Sequence, residues 1–274
     1  MQFIQITNDP ERAGFVEKCG VDRVMVDLEI LGKKARQGGL DTVISKHTLA
    51  DVSKVRSALR HTTLQVRINP IHEGSEKEVE EVISRGADRI MLPMFSDARQ
   101  VRLFLDMVDR RAATTLLLET PQALIRIEEI VSQDGIDEIH IGLNDLHLGL
   151  GLDFMFELIL SPVIELVCGA ILRRGIPLGI GGVASLDFGQ VPAKLILPRL
   201  IELGANATIL SRSFSATNHA PVEKNIDDTF ERNFSEIRAF CESVSGSDID
   251  ANHVQLRAAI DSVVCALRET RRGS

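Results

Sequence analysis

TTLLLETPQALIRIEEIVSQDGIDEIHIGLNDLHLGLG, residues 114–151, is the stretch of sequence that decides the fold. Its first part predicts a strand that is buried on both faces and ends in Glu119, because the apolar residues follow one another without alternation. Pro121 suits the first turn of a helix, where its missing N–H costs nothing, and Gly135 ends that helix. This part of the stretch predicts a buried strand followed by a helix.

The second part of the stretch predicts another strand and the turn that follows it. Residues 136–141 form the strand, and a tight turn at 142–145 ends in Asp145. Consecutive parallel strands end at the same edge of a sheet. We therefore expect the carboxylates of Glu119 and Asp145 to lie close enough to share one small cation.

The same alternation of strand and helix continues on both sides of this unit. Further predicted strands are 3–6, 23–27, 64–68, 89–92, 177–180 and 207–210, with helices between them at 10–20, 49–59, 76–84, 98–108, 154–174 and 193–203. No strand is followed by a G-x-G-x-x-G fingerprint, and eight regular units favour a closed (β/α)8 TIM barrel of the α/β class over an open sheet. We predict a catalytic barrel domain at residues 1–220 and a C-terminal helical extension at residues 221–274.

The extension ends in an amphipathic helix. A polar hinge at 245–248 precedes an apolar stripe made of Leu256, Ile260, Val263, Val264 and Leu267. Two arrangements are open, packing on a neighbouring subunit or packing on its own barrel. We expect a homo-oligomer, a trimer or hexamer.

Composition excludes several classes of partner. The chain has 274 residues, 44% of them hydrophobic, and a net charge of −8 with neither Trp nor Tyr. This charge disfavours nucleic acid and anionic membranes as partners. No basic, apolar leader and no run of membrane-spanning length is present, and the four cysteines are widely spaced, which is typical of reduced thiols. We expect a cytoplasmic protein.

Polar residues at the C-terminal ends of barrel strands build active sites in this fold. The candidates by this rule are Asp27, Glu29, Arg67, Glu119, Asn144, Asp145, the pair Gly181-Gly182 and Arg212. No lysine stands at a strand end, which argues against Schiff-base chemistry.

The candidate residues indicate metal-assisted chemistry. Two carboxylates without a His or Cys partner favour a hard cation such as Mg²⁺ at Glu119 and Asp145. Arg67 suits a substrate carboxylate or enolate oxygen. Asp27 or Glu29 would hold Arg67 in place or transfer a proton.

Five motifs, VDRVMVDLE, LQVRINP, GADRIMLP, LLLETPQAL and IGLNDLHLGLG, occur in this order. Together they resemble the HpcH/HpaI aldolase and citrate lyase β-subunit family over about residues 21–182. The resemblance implies a phosphoenolpyruvate-binding-type TIM barrel and divalent-metal chemistry, with Mg²⁺ or Mn²⁺, on pyruvate-like or acyl-CoA-derived enolates.

The resemblance also implies individual roles. It makes Glu119 and Asp145 the metal ligands, Arg67 the enolate or carboxylate arginine, and Glu29 the acid that supports it. The backbone amides that line the pyruvate pocket would be those of Gly142, Leu143 and Asn144.

One position departs from the family pattern. Pyruvate aldolases of this family carry a His directly after the acid of strand two, and the citrate lyase branch has an Asp there. Ile30 occupies this position here. His47 is a candidate replacement base, or else a surface loop residue, and His140 is interpreted as a structural residue of strand six.

We therefore predict a metal-dependent carbon–carbon lyase, similar to class II aldolases, that acts on a small 2-oxo acid and an aldehyde through a pyruvate-type enolate. Two alternatives are open. One is an acyl-CoA lyase of the citrate lyase type, which would need a basic, exposed groove for the CoA phosphates, and no such cluster stands out beyond Lys33, Lys34 and Arg36. The other is a barrel that binds a keto acid without turnover.

Overall fold

The computed structural model describes residues 1–32, 47–215 and 226–273. Eight parallel strands close into a barrel in sequence order, β1 to β8, with β8 paired to β1. The strands are β1 Gln2–Ile6, β2 Arg23–Asp27, β3 Thr63–Arg67, β4 Arg89–Leu92, β5 Ala113–Leu118, β6 Ile139–Ile141, β7 Leu178–Val183 and β8 Ala207–Leu210. The predicted (β/α)8 barrel with additional C-terminal helices is confirmed.

Helices surround the barrel. They are α1 Pro10–Lys18, α2 Leu49–Ala58, α3 Ser75–Ser84, α4 Ala98–Val108, α5 Pro121–Ile125, α6 Ile127–Val131, α7 Leu143–Leu150, α8 Pro162–Arg173, α9 Ala193–Glu202, α10 Ile226–Ser243 and α11 Gly246–Gly273. Short 3₁₀ helices cover Met155–Leu160 and Arg212–Ser215. None of the helices within the described ranges is long and apolar enough to cross a membrane.

Side-chain caps fix where several of these helices begin. The Asp97 carboxylate accepts hydrogen bonds from the backbone N–H groups of Arg99 and Gln100 at the start of α4. Thr120 accepts from the N–H of Ala123 at the start of α5. Each cap satisfies N–H groups that have no partner within the first helical turn.

The barrel interior holds a small apolar cluster of its own, separate from the large core between strands and helices. Ile4, Met25, Met91 and Leu117 form this cluster and are buried. These side chains fill the barrel below its C-terminal mouth, so the polar residues above them stand on an apolar floor.

Three predicted boundaries near the mouth are wrong. Residues 142–145 do not form a turn, because Gly142 is the N-cap of α7 and Asp145 lies in its first turn. Strand β7 does not end before Gly181-Gly182, since the pair lies within it, at a register shift against β8. The helix predicted to run to Gly135 is two short helices that meet at Arg126.

The C-terminal helix packs on its own barrel. Leu256, Ile260 and Val264 are buried in the main core, and α11 contacts α9. The Asn252 side chain donates a hydrogen bond of 2.7 Å to the Leu195 carbonyl. Packing on the chain's own barrel is therefore the arrangement observed, while the subunit count and the domain boundary at residue 220, which lies outside the described residues, stay predictions.

Candidate active site

Arg67 and Asp27 form a two-bonded ion pair at the mouth of the barrel. Strands β2 and β3 pair in parallel with Asp27 opposite Arg67, so their side chains leave the barrel next to each other. Arg67 donates from Nε to Oδ1 and from Nη2 to Oδ2 of Asp27, both at 2.7 Å. This fork geometry fixes the plane of the guanidinium.

Glu29 holds the same arginine from a second direction. Its Oε2 lies 3.5 Å from Arg67 Nε, and its own N–H donates to Asp27 Oδ1 at 3.2 Å. Burial opposes the charge on Arg67, but Asp27 and Glu29 outweigh it and raise the pKa of Arg67 above its ordinary value. Of the two roles predicted for these acids, orientation of Arg67 is the one that the geometry supports.

Glu119 directly follows β5 and is buried. Its Oε1 accepts a hydrogen bond of 3.1 Å from the N–H of Met94, whose backbone adopts φ 54°. Burial raises the pKa of Glu119 to about 8; the positive charge of Arg67 opposes this, and the nearby acids Glu29 and Asp145 add to it. Burial, Glu29 and Asp145 therefore favour the neutral form of Glu119, and Arg67 favours its charged form.

The first turn of α7 brings Asp145 towards Glu119. The N–H of Gly142 donates to the Leu118 carbonyl at 3.0 Å, which joins the start of α7 to the end of β5. A Cβ atom at Gly142 would lie 2.9 Å from Glu119 Oε2, so only glycine leaves this carboxylate room. Asp145 is half-buried on the same cavity as Glu119.

These groups share one cavity of about 530 Å³ at the mouth. The predicted residues on its wall are Arg67, Glu119, Gly142, Leu143, Asn144, Asp145, Gly181, Gly182 and Arg212. Asp27 and Glu29 stand behind Arg67 rather than on the wall. Most of the candidates predicted from their place at strand ends therefore lie together in one cavity.

The donor set on the wall fits a cation held by two carboxylates. Within the described ranges, no group of three or more His, Cys, Asp or Glu side chains is arranged as a closed metal cage. Mg²⁺ characteristically takes one or two carboxylates and keeps waters and substrate oxygens as its other ligands. Glu119 and Asp145 match that pattern, and an added positive charge would offset the cost of burying Glu119.

His47 lies beside the arginine cluster. Its Nδ1 accepts a hydrogen bond of 2.9 Å from the N–H of Asp27. A ring nitrogen that accepts from a backbone N–H carries no proton, so the neutral His47 ring has its proton on Nε2. In this state Nδ1 cannot accept a further proton, and Nε2 can donate a hydrogen bond. Residues 33–46, which precede His47, lie outside the described residues.

His140, which the sequence predicts to be structural, also lines the cavity. The side chain is fully buried, and its Nε2 lies 3.0 Å from the Gly181 carbonyl, which can only accept. Burial lowers the pKa of His140, which keeps the ring neutral. Its Nδ1 has no hydrogen-bond partner within the described part of the chain.

Glycines in β7 make room for this histidine. His140 pairs with Gly179 in the register of β6 and β7, and a Cβ at Gly179 would lie 2.1 Å from His140 Nδ1. Gly181 adopts φ 57°, a conformation that favours glycine, and its carbonyl accepts the hydrogen bond from His140 Nε2. The glycine-rich pattern of residues 179–182 was the sequence signal for a bulky neighbour on β6.

Fold and site together define a (β/α)8 barrel with paired acids and an oriented arginine at its C-terminal mouth. The family model of the HpcH/HpaI aldolase/citrate lyase family matches residues 3–154. The chain belongs to this family, which supports a lyase-type function. No curated protein sequence matches the chain.

Solved structures share the fold at low sequence identity. An HpcH/HpaI aldolase from Desulfitobacterium hafniense DCB-2 has a TM-score of 0.58 at 16% identity, over 89% of this chain and 94% of its own. RipC from Yersinia pestis has 0.54 at 17%, over 87% and 98%. The citrate synthase SbnG has 0.59 at 15%, over 77% and 85%. At these identities the likeness establishes the fold alone.

Proposed function

We propose that this protein is a divalent-metal-dependent carbon–carbon lyase that makes or consumes the enolate of a small 2-oxo acid, with an aldehyde as the second substrate. The observation that carries the proposal is the convergence of Glu119, Asp145 and the oriented Arg67 on one cavity. An enolate is an anion that develops during the reaction, and a fixed donor aimed at it stabilises the transition state more than the substrate.

Glu119 and Asp145 would hold Mg²⁺ or Mn²⁺. When bound, the cation acts as a Lewis acid that polarises the keto group of the substrate. The two carboxylates fix its position at the end of β5 and the start of α7. On the α7 side, the keto acid would be bordered by the backbone at the start of the helix, which belongs to Gly142, Leu143 and Asn144.

Arg67 binds the oxygen on which negative charge develops. Asp27 occupies Nε and Nη2 of the guanidinium, so Nη1 stays available to an oxygen in the cavity. Glu29 and Asp27 keep the guanidinium from rotating away. The arginine therefore meets the enolate oxygen without reorganising during the reaction, which is what makes such a contact effective.

Proton transfer separates the reactions that this site can support. Ile30 stands where the family resemblance expects an acid–base residue, and its backbone N–H donates to Asn69 Oδ1 at 2.9 Å. Aldol cleavage needs a base to remove the hydroxyl proton of the substrate. Decarboxylation of oxaloacetate does not, because the C–C bond breaks to leave carbon dioxide and the pyruvate enolate. His47 cannot remove the hydroxyl proton through Nδ1, because that nitrogen accepts from the Asp27 N–H.

The test compares these reactions with and without a divalent metal. Oxaloacetate decarboxylation and exchange of the pyruvate methyl protons are followed in Mg²⁺, in Mn²⁺ and in EDTA, for the wild type and for Asp145→Asn. We expect metal-dependent decarboxylation that the variant loses. If no divalent metal supports either reaction, the chain is the non-catalytic keto-acid-binding barrel instead.

The acyl-CoA lyase alternative gains no specific support. The basic cluster that would bind the CoA phosphates, Lys33, Lys34 and Arg36, lies outside the described residues. We therefore keep the 2-oxo acid lyase as the single proposal.

A further inference from the structure

The two residues that follow Glu29 are held by one side chain. The backbone N–H groups of Ile30 and Leu31 both donate to Oδ1 of Asn69, at 2.9 and 3.0 Å. The side chains of Ile30 and Leu31 are 54% and 43% exposed, so apolar packing holds them only in part. We therefore attribute the position of this segment largely to its two hydrogen bonds with Asn69.

Asn69 is itself fixed from helix α3. Its Nδ2 donates to Glu78 Oε1 at 2.8 Å, and its backbone N–H lies 3.3 Å from both oxygens of the same carboxylate. Two N–H donors on one side and a carboxylate on the other satisfy the side-chain amide in one orientation only. Pro70, the next residue, disfavours a helical backbone at Asn69. Asn69 thus connects the segment after β2 to α3.

The carboxylate of Glu78 has its own supports. Glu78 lies in the first turn of α3, where the helix N-terminus favours a negative charge. His72 Nδ1 accepts a hydrogen bond of 3.0 Å from the Gly74 N–H, so the neutral ring carries its proton on Nε2, which lies 3.2 Å from Glu78 Oε2. The Glu78 side chain is only 12% exposed. The anchor of Asn69 is therefore an ordered group rather than a mobile surface acid.

These contacts end at the arginine of the mouth. Asp27 stands opposite Arg67 in the register of β2 and β3, so strand pairing holds this acid in place. Glu29 lies beyond the last residue of β2, and its Oε2 is 3.5 Å from Arg67 Nε. The position of Glu29 depends on the segment that Asn69 holds. Loss of the contacts with Asn69 would loosen the second acid on the guanidinium and leave the first in place.

We propose that Asn69 is a positioning residue, which keeps Glu29 against Arg67 by binding the two N–H groups that follow Glu29. Glu78 anchors Asn69 to α3. Position 30, where the family resemblance expects an acid–base side chain, then serves the site through the backbone N–H of Ile30. The effect of this link on catalysis rests on the proposed function above, whereas its effect on Arg67 does not.

The experiment observes Arg67 directly, so that it does not depend on turnover. The full chain is prepared with isotope-labelled arginine, and the Nε–H signal of Arg67 in the NMR spectrum is identified as the one missing from Arg67→Lys. Its exchange with solvent is measured together with kcat and KM for oxaloacetate decarboxylation at saturating Mg²⁺. The variants are Asn69→Ala, Asn69→Asp, Glu78→Gln and the double variant Asn69→Asp with Glu78→Gln. Asn206→Ala, at an exposed asparagine before β8, is the matched control.

Asn69→Ala should speed the exchange of the Arg67 Nε–H and lower kcat, each by about tenfold or more, because the guanidinium loses its fixed orientation. KM should change by less than about twofold, since Arg67 acts on charge that develops in the transition state. Asn69→Asp should share the defect, because its carboxylate faces that of Glu78. In the double variant the Gln amide donates to the Asp, which still accepts from both N–H groups, so both measurements should return to within about threefold of the wild type. Glu78→Gln alone should stay in the same range, since its amide oxygen still accepts from Asn69.

An unchanged Arg67 signal and an unchanged kcat in Asn69→Ala would overturn the proposal, even if urea denaturation shows a loss of stability. A double variant no better than Asn69→Asp, or an equal effect of Asn206→Ala, would also overturn it. Should Asn69→Ala fail to fold, the comparison of Asn69→Asp with the double variant decides. If the wild type does not decarboxylate oxaloacetate, the lyase reaction is refuted, and the Arg67 signal still tests the role of Asn69.

Discussion

At the N-terminal end of the barrel, Arg23 and Glu138 form a buried ion pair in which Nη1 contacts Oε1 at 2.8 Å and Nη2 contacts Oε2 at 2.6 Å. At the C-terminal mouth, Arg67 is shared by Asp27 and Glu29, while Glu119 is buried nearby. At the N-terminal end one guanidinium contacts both oxygens of one carboxylate, whereas at the mouth the two acids Asp27 and Glu29 contact the same arginine. We interpret the one-to-one ion pair of Arg23 and Glu138 as a structural contact. The cluster of acids around Arg67 is where a cation and a substrate would fit.

Further groups complete the pairing at the N-terminal end. Gln2 and Gln65 accept hydrogen bonds from Arg23, and Gln65 contacts the sulfurs of Met25 and Met91 below the apolar cluster. This polar layer closes the bottom of the barrel beneath the same methionines that support the mouth. The two layers can therefore be tested with the same type of substitution.

The largest effect is expected at the mouth. Glu119→Gln should lower the rate of metal-dependent decarboxylation by about 10³-fold or more, since it removes a proposed ligand of the cation. Its amide oxygen can still accept from the Met94 N–H, and the variant removes an acid whose pKa burial raises to about 8, so the free energy of unfolding should be unchanged or higher. Activity and urea denaturation measured on the same preparation check both parts. If the variant binds the divalent metal with normal affinity, Glu119 is not a metal ligand.

The same change at the other end should have the opposite outcome. Glu138→Gln leaves Arg23 buried without its counter-charge and should lower the free energy of unfolding by about 3 kcal/mol. The turnover of the folded fraction should stay close to that of the wild type. Denaturation by urea, with activity corrected for the folded fraction, tests this. A loss of turnover without a loss of stability would show that the N-terminal end contributes to catalysis rather than to stability.

Arg67→Lys tests the geometry of the mouth with its charge preserved. A lysine has no planar fork, so it cannot keep two bonds to Asp27 and reach a substrate oxygen at the same time. We expect decarboxylation to fall by about 10²-fold, the size typical of one lost oxyanion donor. Steady-state kinetics at saturating metal measure the decarboxylation rate of the variant. A near-normal rate would show that another residue contacts the substrate anion.

A smaller effect is expected where His140 meets β7. Gly179→Ala would place a Cβ against the buried imidazole and should cost about 2 kcal/mol of stability. Combining it with His140→Ala removes the clash, so the double variant should be more stable than the sum of the single effects predicts. Additive effects in urea denaturation would show that the ring moves aside freely.

The fold was predictable because most boundaries carry local signals. Strands β2, β4 and β8 and helix α4 have the predicted bounds, since Asp97 caps α4 and apolar residues fill the three strands. The mouth was less predictable where glycine serves a tertiary purpose. Gly142 resembles a turn residue in the sequence, but in the structure it is the N-cap of α7. The position requires glycine because a larger side chain would collide with Glu119.

Partners of the candidate residues were the part that local patterns could not supply. Glu29 and Asp27 stand two positions apart, and nothing in that spacing decides which of them takes both nitrogens of Arg67; the register of β2 and β3 does. His140 sits in a regular alternating strand, and its contact with Gly181 depends on a register shift in β7. Long-range pairing settles both questions.

The smallest expected effect is on the pH dependence of the free energy of unfolding and concerns the N-terminal end of the barrel. The Glu17 carboxylate of α1 accepts hydrogen bonds from the backbone N–H groups of three consecutive residues that precede β3, which are Arg60, His61 and Thr62. Burial opposes the charge on Glu17, but these donors outweigh it and lower its pKa from 4.5 to about 2. A carboxylate with a depressed folded-state pKa contributes its full stability above the unfolded-state value, and this contribution is lost as the pH falls from about 4.5 towards 2.

Glu17→Gln should therefore lose stability at pH 6 and show a smaller further loss than the wild type on acidification to pH 3. We expect the difference to be about 1 kcal/mol, a figure already reduced for the partial solvent exposure of the carboxylate. Urea denaturation of both proteins at the two pH values measures it, and Glu236→Gln on the exposed face of α10 is the control. If the two proteins lose equal stability between pH 6 and pH 3, the three backbone contacts are not what ties α1 to β3.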